Sequence, residues 1–375
     1  MSDIERSCRP NWVEVDKGAI TANIASLHRL AGPEVKLFAA LKGNACGLGL
    51  VKAAATAAEA GADGIGMVDL GEAIALRQHG IKVPIVLYAG GVADADSLGA
   101  AAAHDLMPTV HDRASADAVA TFGAGMLRVF VEVNAGGERF GFPPEAAPDE
   151  VARLAGLGHV EVAGIYAHLN VPDNERALDL IGWAYQRFQG VLGALDERRL
   201  DVPIRMVASS KVLALTLGMC LNAIDPGHVV FGLDPGGARK VDLGVRSAFR
   251  ALKSRLITVW SLARTEFAED SPVPVRDGLR VGVIPFGNAD GLNDINCGQM
   301  LVRGRRANLL GPPTAEHARI DLTGVADAAI GDEVVIIGRQ GEAEITIEEV
   351  GRARGGTRPS VITRRIPAQF QRTYV

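Results

Sequence analysis

The sequence has 375 residues, of which 48% are hydrophobic and 22% are charged, and its formal net charge at pH 7 is −5. This size and composition favour a globular protein with two domains, or with one large barrel and an appendage. Acidic and basic residues are interspersed, which excludes an extended basic surface for nucleic acid or for an acidic membrane.

Two further features of the sequence concern the cellular compartment and metal binding. No apolar stretch has the length of a transmembrane helix, and the N-terminal residues MSDIERSCRPNW lack the apolar core of a secretory signal. Cys8, Cys46, Cys220 and Cys297 lie far apart without a CxxC pair, which favours reduced thiols over a zinc cluster. We therefore expect a cytoplasmic protein that acts on a small molecule and binds no metal.

The first two thirds of the chain alternate apolar runs with helical patterns. The strand Trp12–Val15 and the helix Lys17–Leu30 come first, and helical patterns such as Leu70–His79 and Asn174–Glu197 follow. Eight apolar runs are predicted as further strands: Val35–Leu41, Gly64–Val68, Pro84–Tyr88, Leu106–Val110, Leu127–Val133, Val162–His168, Ile204–Ala208 and Val229–Gly232. Eight strands separated mostly by helices predict an (α/β)8 TIM-like barrel over residues 16–245.

The pattern changes at about Arg246, where short runs spaced by Gly, Asp and Pro replace the helical periods. The predicted strands here are Ser254–Trp260, Leu279–Pro285, Gln299–Val302, Glu333–Ile337 and Glu344–Ile347. A polar hairpin turn is expected over Gly338–Ala343. We predict a C-terminal β domain over residues 246–375, on which the N-terminal strand of residues 1–15 packs.

The first barrel run ends in a lysine, in the segment VKLFAALKGNACGLGL of residues 35–50. The C-terminal ends of barrel strands face the active site, so Lys42 is predicted to point at chemistry; the alternative is a lysine that leaves the strand for solvent. The segment resembles the pyridoxal phosphate (PLP) lysine motif of alanine racemases, AVVKANAYGHG. The resemblance continues in order along nearly the whole chain. It implies that Lys42 binds PLP covalently and acts as a base on one face of the substrate carbon.

The resemblance assigns further contacts to the cofactor. Arg139, in NAGGERFG, matches the arginine that contacts the phenolic oxygen of PLP and helps to seat the substrate carboxylate, a role that suits a planar guanidinium. Glu132 stands where many relatives have a carbamylated lysine, and it would supply the same negative charge. His168 matches the histidine that packs on the cofactor ring. Without the resemblance, Arg139 is typical of a surface arginine and His168 of a core histidine.

The phosphate end of the cofactor is expected to lie near the last barrel strands. Ser209 and Ser210 match an Asn-Ser pair of the family, and Gly227 and His228 would add backbone N–H groups. A Ser-Ser pair that opens a helix is equally typical of an N-cap, and both roles are compatible. Cys46 stands where the family has a tyrosine on the phosphate side.

Asp225, in AIDPG, is the sharpest departure from the family. Racemases have an arginine here that faces the pyridine nitrogen and keeps it unprotonated. A carboxylate would favour the protonated nitrogen and so a stronger electron sink. The alternative is an Asp-Pro turn that does not contact the cofactor.

A second departure concerns the base on the opposite face of the substrate. The family uses the tyrosine of GYADG, donated across the dimer interface, whereas this chain has Asn288 in GNADG. Asparagine cannot take up a proton at neutral pH. His317, in the loop that faces the substrate in the family, is one candidate replacement, and Cys46 is a weaker one. Both residue types also occur as ordinary loop residues.

The sequence thus resembles a divergent alanine racemase of fold type III that lacks the catalytic tyrosine. The resemblance implies a PLP-dependent amino-acid racemase or epimerase that forms a homodimer with shared active sites. One alternative is a one-base PLP enzyme with a protonated pyridinium, such as an aldolase or transferase, a transaminase or a decarboxylase. Another is a protein that binds PLP without catalysis.

Overall fold

The computed structural model describes residues 9–88, 94–123, 125–136, 139–237, 239–262 and 277–375. The chain divides into two compact units. The barrel unit comprises the described parts of Ala19–Ala45 and Leu50–Arg246, and the β unit comprises those of Met1–Gly18, Cys46–Gly49 and Ser247–Val375. Within the described ranges, no helix combines the length and apolar character needed to cross a membrane.

Eight parallel strands form the closed barrel, which confirms the predicted fold. Its strands are β2 (Lys36–Ala40), β3 (Gly64–Met67), β4 (Ile85–Leu87), β5 (Leu106–Val110), β6 (Leu127–Glu132), β7 (Val160–Tyr166), β8 (Ile204–Ser209) and β9 (Ala223–Asp225). The barrel closes where Lys36 pairs with Ala223 and Leu37 with Ile224. Strands that are buried on both faces consist of continuous apolar runs, which is why the sequence signal was strong.

Helix α1 (Lys17–Ala31) precedes the first barrel strand, and a helix follows each strand from β2 to β8. These helices are α3 (Leu50–Glu59), α4 (Leu70–Gln78), α5 (Ala95–Ala103), α6 (Arg113–Thr121), α7 (Ala147–Ala155), α8 (Ala177–Glu197) and α9 (Ser210–Leu215). Three of them begin at an aspartate, Asp69, Asp94 or Asp112, whose side chain accepts a hydrogen bond from a backbone N–H in the first turn. Such caps satisfy donors that have no partner inside the helix.

The predicted eighth strand, Val229–Gly232, is wrong. Residues His228–Phe231 form a 3-10 helix, and the eighth strand is β9, Ala223–Asp225. The true strand has only three residues and is ended by Pro226, which is why it resembled a turn. The correction puts Asp225 at the C-terminal end of a barrel strand.

Aromatic rings fill the barrel interior. Phe38 and Phe130 meet edge to face, with their ring centroids 6.2 Å apart. Each ring occupies space left by a glycine of the next strand, since a Cβ on Gly64 would overlap the Phe38 ring and a Cβ on Gly164 would overlap Phe130. The barrel is therefore a packed core and not a channel.

The β unit contains two sheets. The larger has the strand order β14-β13-β16-β10-β1-β18, with β17 paired to β16, and the smaller has the order β11-β12-β15. Their strands are β1 (Trp12–Val15), β10 (Phe249–Arg255), β11 (Thr258–Ser261), β12 (Arg280–Ile284), β13 (Gln299–Val302), β14 (Arg305–Asn308), β15 (Ala318–Asp321), β16 (Glu333–Gln340), β17 (Ala343–Ile345) and β18 (Gln371–Tyr374). Two helices of this unit, α10 (Ile347–Ala353) and α11 (Pro359–Arg365), were not predicted.

Two predicted elements of the β unit differ in detail. The run Ser254–Trp260 is divided between β10 and β11, which belong to different sheets. The hairpin turn is shorter than expected, because Gly338 pairs with Ile345 and Gln340 with Ala343. Only two residues remain in the turn, a length typical of tight hairpins.

The segment after β2 has an unusual backbone. The short element α2 (Lys42–Cys46) is left-handed, with φ angles of 62° at Gly43, 52° at Asn44 and 53° at Ala45. Left-handed backbone is costly for residues other than glycine and persists only where the surroundings fix it. One local support is the Asn44 side chain, whose Oδ1 accepts a hydrogen bond of 2.8 Å from the Leu50 N–H.

The residues after this turn are held by the C-terminal strand. The Arg372 guanidinium donates to the Gly47 carbonyl at 2.9 and 3.1 Å. It also donates to the carbonyls of four residues between Ile366 and Phe370. The Tyr374 hydroxyl donates to the Leu48 carbonyl at 3.2 Å. These bonds fix the backbone of Cys46–Gly49 within the β unit.

We predict that Gly47→Ala destabilises the protein by more than about 3 kcal/mol. Gly47 has a φ of +85°, and a Cβ there would overlap the carbonyl oxygen of Thr363. The matched control is Gly61→Ala, since Gly61 has a φ of +96° and nothing within 4 Å of an added Cβ. It should cost only about 1–2 kcal/mol for left-handed backbone. Chemical denaturation measures both, and equal losses would contradict the packing argument.

Candidate active site

The strand ends of the barrel bring together most of the predicted site residues. Lys42 follows β2, Glu132 ends β6 and Asp225 ends β9. His168 comes two residues after β7. In a parallel barrel all these C-terminal ends lie at one mouth. The side chains influence one another electrostatically there, because the positive charge of Lys42 acts on Glu132, His168 and Asp225.

Tyr88, just after β4, connects Lys42 with Asp225. The Lys42 Nζ lies over the Tyr88 ring, 5.1 Å from its centroid. The Tyr88 hydroxyl donates to Asp225 Oδ2 at 3.3 Å. Burial raises the pKa of Asp225 to about 6, although Lys42 and this hydrogen bond lower it. Asp225 and Lys42 therefore contact the same side chain, Tyr88.

A second pair of a phenol and a carboxyl lies beside the first. The Tyr166 hydroxyl donates to Glu132 Oε2 at 2.9 Å. Burial raises the pKa of Glu132, and the Tyr166 hydrogen bond and the positive charge of Arg139 oppose that shift. The Tyr88 and Tyr166 rings meet edge to face, with centroids 5.5 Å apart. Glu132 is thus a buried acidic group within electrostatic reach of Arg139.

His168 lies in an environment that disfavours a positive charge. Burial lowers its pKa from 6.5 to about 4, and the positive charges of Lys42 and Arg139 act in the same direction. The imidazole is therefore neutral at pH 7. A neutral ring at a barrel mouth is suited to packing on a flat ligand and to accepting or donating one hydrogen bond.

The loops after β8 and β9 meet at Ser210. Its Oγ accepts hydrogen bonds from the Gly227 N–H at 2.8 Å and from the Val229 N–H at 3.4 Å. Ser209 is the N-cap residue of α9, and its side chain makes no capping hydrogen bond. The hydroxyl and these N–H groups are donors of the kind that bind phosphate, and they lie at the late-strand position typical of barrels.

The other two predicted catalytic residues, Asn288 and His317, both lie in the β unit and both bond to the backbone of Thr314. The Asn288 N–H donates to the Thr314 carbonyl at 2.8 Å, and the Thr314 N–H donates to the His317 carbonyl at 2.9 Å. Both Asn288 and His317 are exposed. The turn that carries Asn288 is held by the buried Asp290, which accepts two hydrogen bonds from Arg9 at 2.6 and 2.8 Å. We call the exposed pair of Asn288 and His317 the loop edge.

Cys46 is buried and has a φ of 56°. It belongs to the segment Cys46–Gly49 of the β unit, so its predicted role beside the phosphate stays a prediction. Sequence analysis did not single out Tyr88 and Tyr166. Both could have been found from the sequence, because each is a tyrosine at or next to the C-terminal end of an apolar strand. A hydroxyl at that position can reach the barrel mouth.

Comparisons with known proteins agree on one family. Sequence profiles of the alanine racemase N-terminal and C-terminal domains match residues 15–235 and 268–374. The alanine racemase of Desulforamulus reducens is 31% identical over 350 residues, covering 91% of this chain and 92% of that protein. The crystal structure of alanine racemase from E. faecalis has a TM-score of 0.85 at 27% identity and covers 98% of both chains. Alanine racemase from Bacillus anthracis with bound L-Ala-P has a TM-score of 0.83 at 26% identity, covering 96% of this chain and 94% of that one.

We predict that His168→Gln weakens the acid sensitivity of folding. Because the pKa of His168 falls from 6.5 to about 4 on folding, the unfolded chain binds more protons between these values. The free energy of unfolding therefore falls as the pH falls through this window. His168→Gln should reduce the decrease in the free energy of unfolding between pH 7 and pH 5 by about 2 kcal/mol.

Asp225→Asn is the opposite control for this measurement. The pKa of Asp225 rises from 3.8 to about 6 on folding, so its contribution to stability is present at low pH and lost as the pH rises through 6. Its removal should make the loss on acidification larger. Denaturant unfolding at both pH values measures the two slopes, and equal slopes in wild type and His168→Gln would contradict the assignment.

Proposed function

This chain belongs to the alanine racemase family, and we propose on that basis that it is a PLP-dependent racemase that interconverts the enantiomers of a small amino acid. The observation that carries the proposal is the position of Lys42 at the barrel mouth, in one electrostatic cluster with Glu132, His168 and Asp225. The family relationship favours racemisation over aldol cleavage, transamination and decarboxylation. It also favours catalysis over binding alone.

The residues at the barrel mouth fit PLP in their chemistry. Lys42 supplies an amine at a strand end, and the Ser210 hydroxyl, whose oxygen accepts from the Gly227 N–H, supplies a donor for the phosphate. The ring would lie against the neutral imidazole of His168. We also assign Ser209, His228 and Cys46 to the phosphate end and Arg139 to the phenolic oxygen. When bound, PLP withdraws electrons from the α-carbon of the substrate and makes its proton removable.

Side chains of this protein would supply proton transfer, binding of the substrate carboxylate and exclusion of water. Lys42 takes the α-proton on one face of the substrate and returns it there. Arg139 binds the substrate carboxylate, because its planar guanidinium matches two oxygens, and Glu132 balances its charge. The packed barrel below the mouth excludes water from this side of the reaction.

The opposite face needs a second proton carrier, and we assign it to the loop edge. Asn288 cannot exchange a proton at neutral pH, whereas the imidazole of His317 can. The exposure of both residues is consistent with a homodimer in which the loop edge of one subunit completes the site of its partner. In this assignment Asn288 serves as a hydrogen-bonding group, and His317 moves the proton.

We predict that Lys42→Ala abolishes both the visible absorbance band of lysine-bound PLP and racemisation, the latter by roughly 10³-fold or more. Borohydride reduction of the wild-type protein followed by peptide mapping should place the cofactor on Lys42. The matched control is Lys82→Ala at an exposed lysine, which should keep the band and the activity. A band that persists in Lys42→Ala would refute the assignment.

We predict that His317→Gln separates proton exchange from racemisation. In D₂O with L-alanine and D-alanine, the wild-type protein should exchange the α-proton and lose chirality together. His317→Gln should keep exchange with retained chirality for one enantiomer only, because Lys42 still works on its own face, and lose racemisation by about 10²-fold or more. The control is His79→Gln at an exposed histidine of the barrel unit. Unchanged racemisation in His317→Gln would move the second proton carrier elsewhere.

A further inference from the structure

Tyr88 contacts both ends of the proposed cofactor site. Its ring lies under the Lys42 Nζ at 5.1 Å, and its hydroxyl donates to Asp225 Oδ2 at 3.3 Å. Lys42 and Asp225 follow or end neighbouring strands, β2 and β9, whereas Tyr88 follows β4. The side chain therefore reaches across the barrel mouth to both groups.

The barrel fixes the position of this phenol on two sides. On one side lies Gly66 of β3, where an added Cβ would overlap the Tyr88 hydroxyl. On the other side the Tyr166 ring meets it edge to face. Tyr88 is only 8% exposed. A buried phenol needs a hydrogen-bond partner, and the carboxyl of Asp225 is the partner that this packing provides.

The groups around Asp225 act on its ionisation in opposite directions, so a bound ligand can change its protonation state. Lys42 and the Tyr88 hydroxyl favour the ionised carboxylate, whereas burial opposes it. Glu132, from β6, acts on Tyr88 through its negative charge, and the negative charge of Asp225 in turn raises the pKa of Glu132. A cation placed against Asp225 would tip this balance towards the carboxylate, because an ion pair offsets the desolvation of both charges.

We propose that Tyr88 is a positioning residue that orients Asp225 against the ring nitrogen of PLP and so keeps that nitrogen protonated. The proposal rests on the proposed PLP site. Asp225 would accept a hydrogen bond from the protonated ring nitrogen of bound PLP, and the Tyr88 hydroxyl, which donates to Asp225 in this structure, would hold the carboxylate in that orientation. The Tyr88 ring simultaneously supports the amine of Lys42 through a cation–π contact. Tyr88 thus contacts both Lys42 and Asp225, the two groups that would act on opposite ends of the cofactor ring.

The test uses the holoenzyme loaded with PLP that is ¹⁵N-labelled at the ring nitrogen. Its ¹⁵N chemical shift reports protonation directly, without reference to activity. The wild-type protein should show the protonated shift at pH 7, and Asp225→Asn should show the unprotonated shift. Tyr88→Phe keeps the ring under Lys42 but removes the hydroxyl, so the nitrogen should lose its proton at a lower pH while the lysine–cofactor absorbance band remains.

Two further variants test the contribution of the Tyr88 ring and of the position of its hydroxyl. Tyr88→Leu removes both contacts and should in addition release the cofactor at least severalfold faster than Tyr88→Phe. Gly66→Ala retains the Tyr88 residue, but the added Cβ would overlap its hydroxyl and the adjacent ring carbons. It should therefore move the hydroxyl away from Asp225 and reproduce the Tyr88→Phe shift. The matched control is Tyr185→Phe on α8, outside the barrel mouth, which should leave the spectrum unchanged.

The outcomes distinguish this inference from the proposed function. A normal absorbance band with an unprotonated nitrogen in the wild-type protein would overturn the role of Asp225 and of Tyr88, and would leave the racemase proposal standing. A protonated nitrogen that is lost in Asp225→Asn but unaffected in Tyr88→Phe and Gly66→Ala would overturn the role of Tyr88 alone. A wild-type protein that binds no PLP through Lys42 would overturn the proposed function and this inference with it.

Discussion

Closure of the barrel between β2 and β9 is the constraint on which the site depends. It makes the strand that precedes Lys42 and the strand that ends in Asp225 neighbours, although they begin and end the barrel. Parallel pairing puts both C-terminal ends at the same mouth, and the intervening strands add Tyr88, Glu132 and the segment of His168 to it. A cation and a carboxyl from distant parts of the sequence are thereby held within reach of one phenol.

The electrostatics of the mouth follow from this crowding. Burial disfavours the charged forms of Asp225 and His168, so the pKa of Asp225 rises to about 6 and that of His168 falls to about 4. Lys42 acts on both shifts in the direction expected of a positive charge. At neutral pH the imidazole of His168 is therefore uncharged. The ionisation of the nearby acids Glu132 and Asp225 would respond to a bound cation. Such a site is adapted to a ligand that carries charge on its ring and on its phosphate.

Much of this architecture was predictable, and the failures have physical causes. Continuous apolar runs identified seven of the eight barrel strands because strands buried on both faces need them. The eighth was misplaced because Val229–Gly232 is also apolar, whereas Ala223–Asp225 is short and precedes a proline. Tyr88 was missed for another reason. Sequence periodicity indicates that a residue is buried, but it does not identify the neighbours on other strands that it contacts.

The two departures from the family are best understood together. In the proposed assignment, Asn288 replaces the tyrosine of the family and the second face depends on His317, which is exposed. A less well placed proton carrier acts more slowly, so the deprotonated α-carbon must survive longer for racemisation to compete with return of the proton from Lys42. A protonated ring nitrogen stabilises that carbon by drawing electrons into the ring. Asp225, held by Tyr88, would therefore compensate at the barrel mouth for the group that is absent from the loop edge.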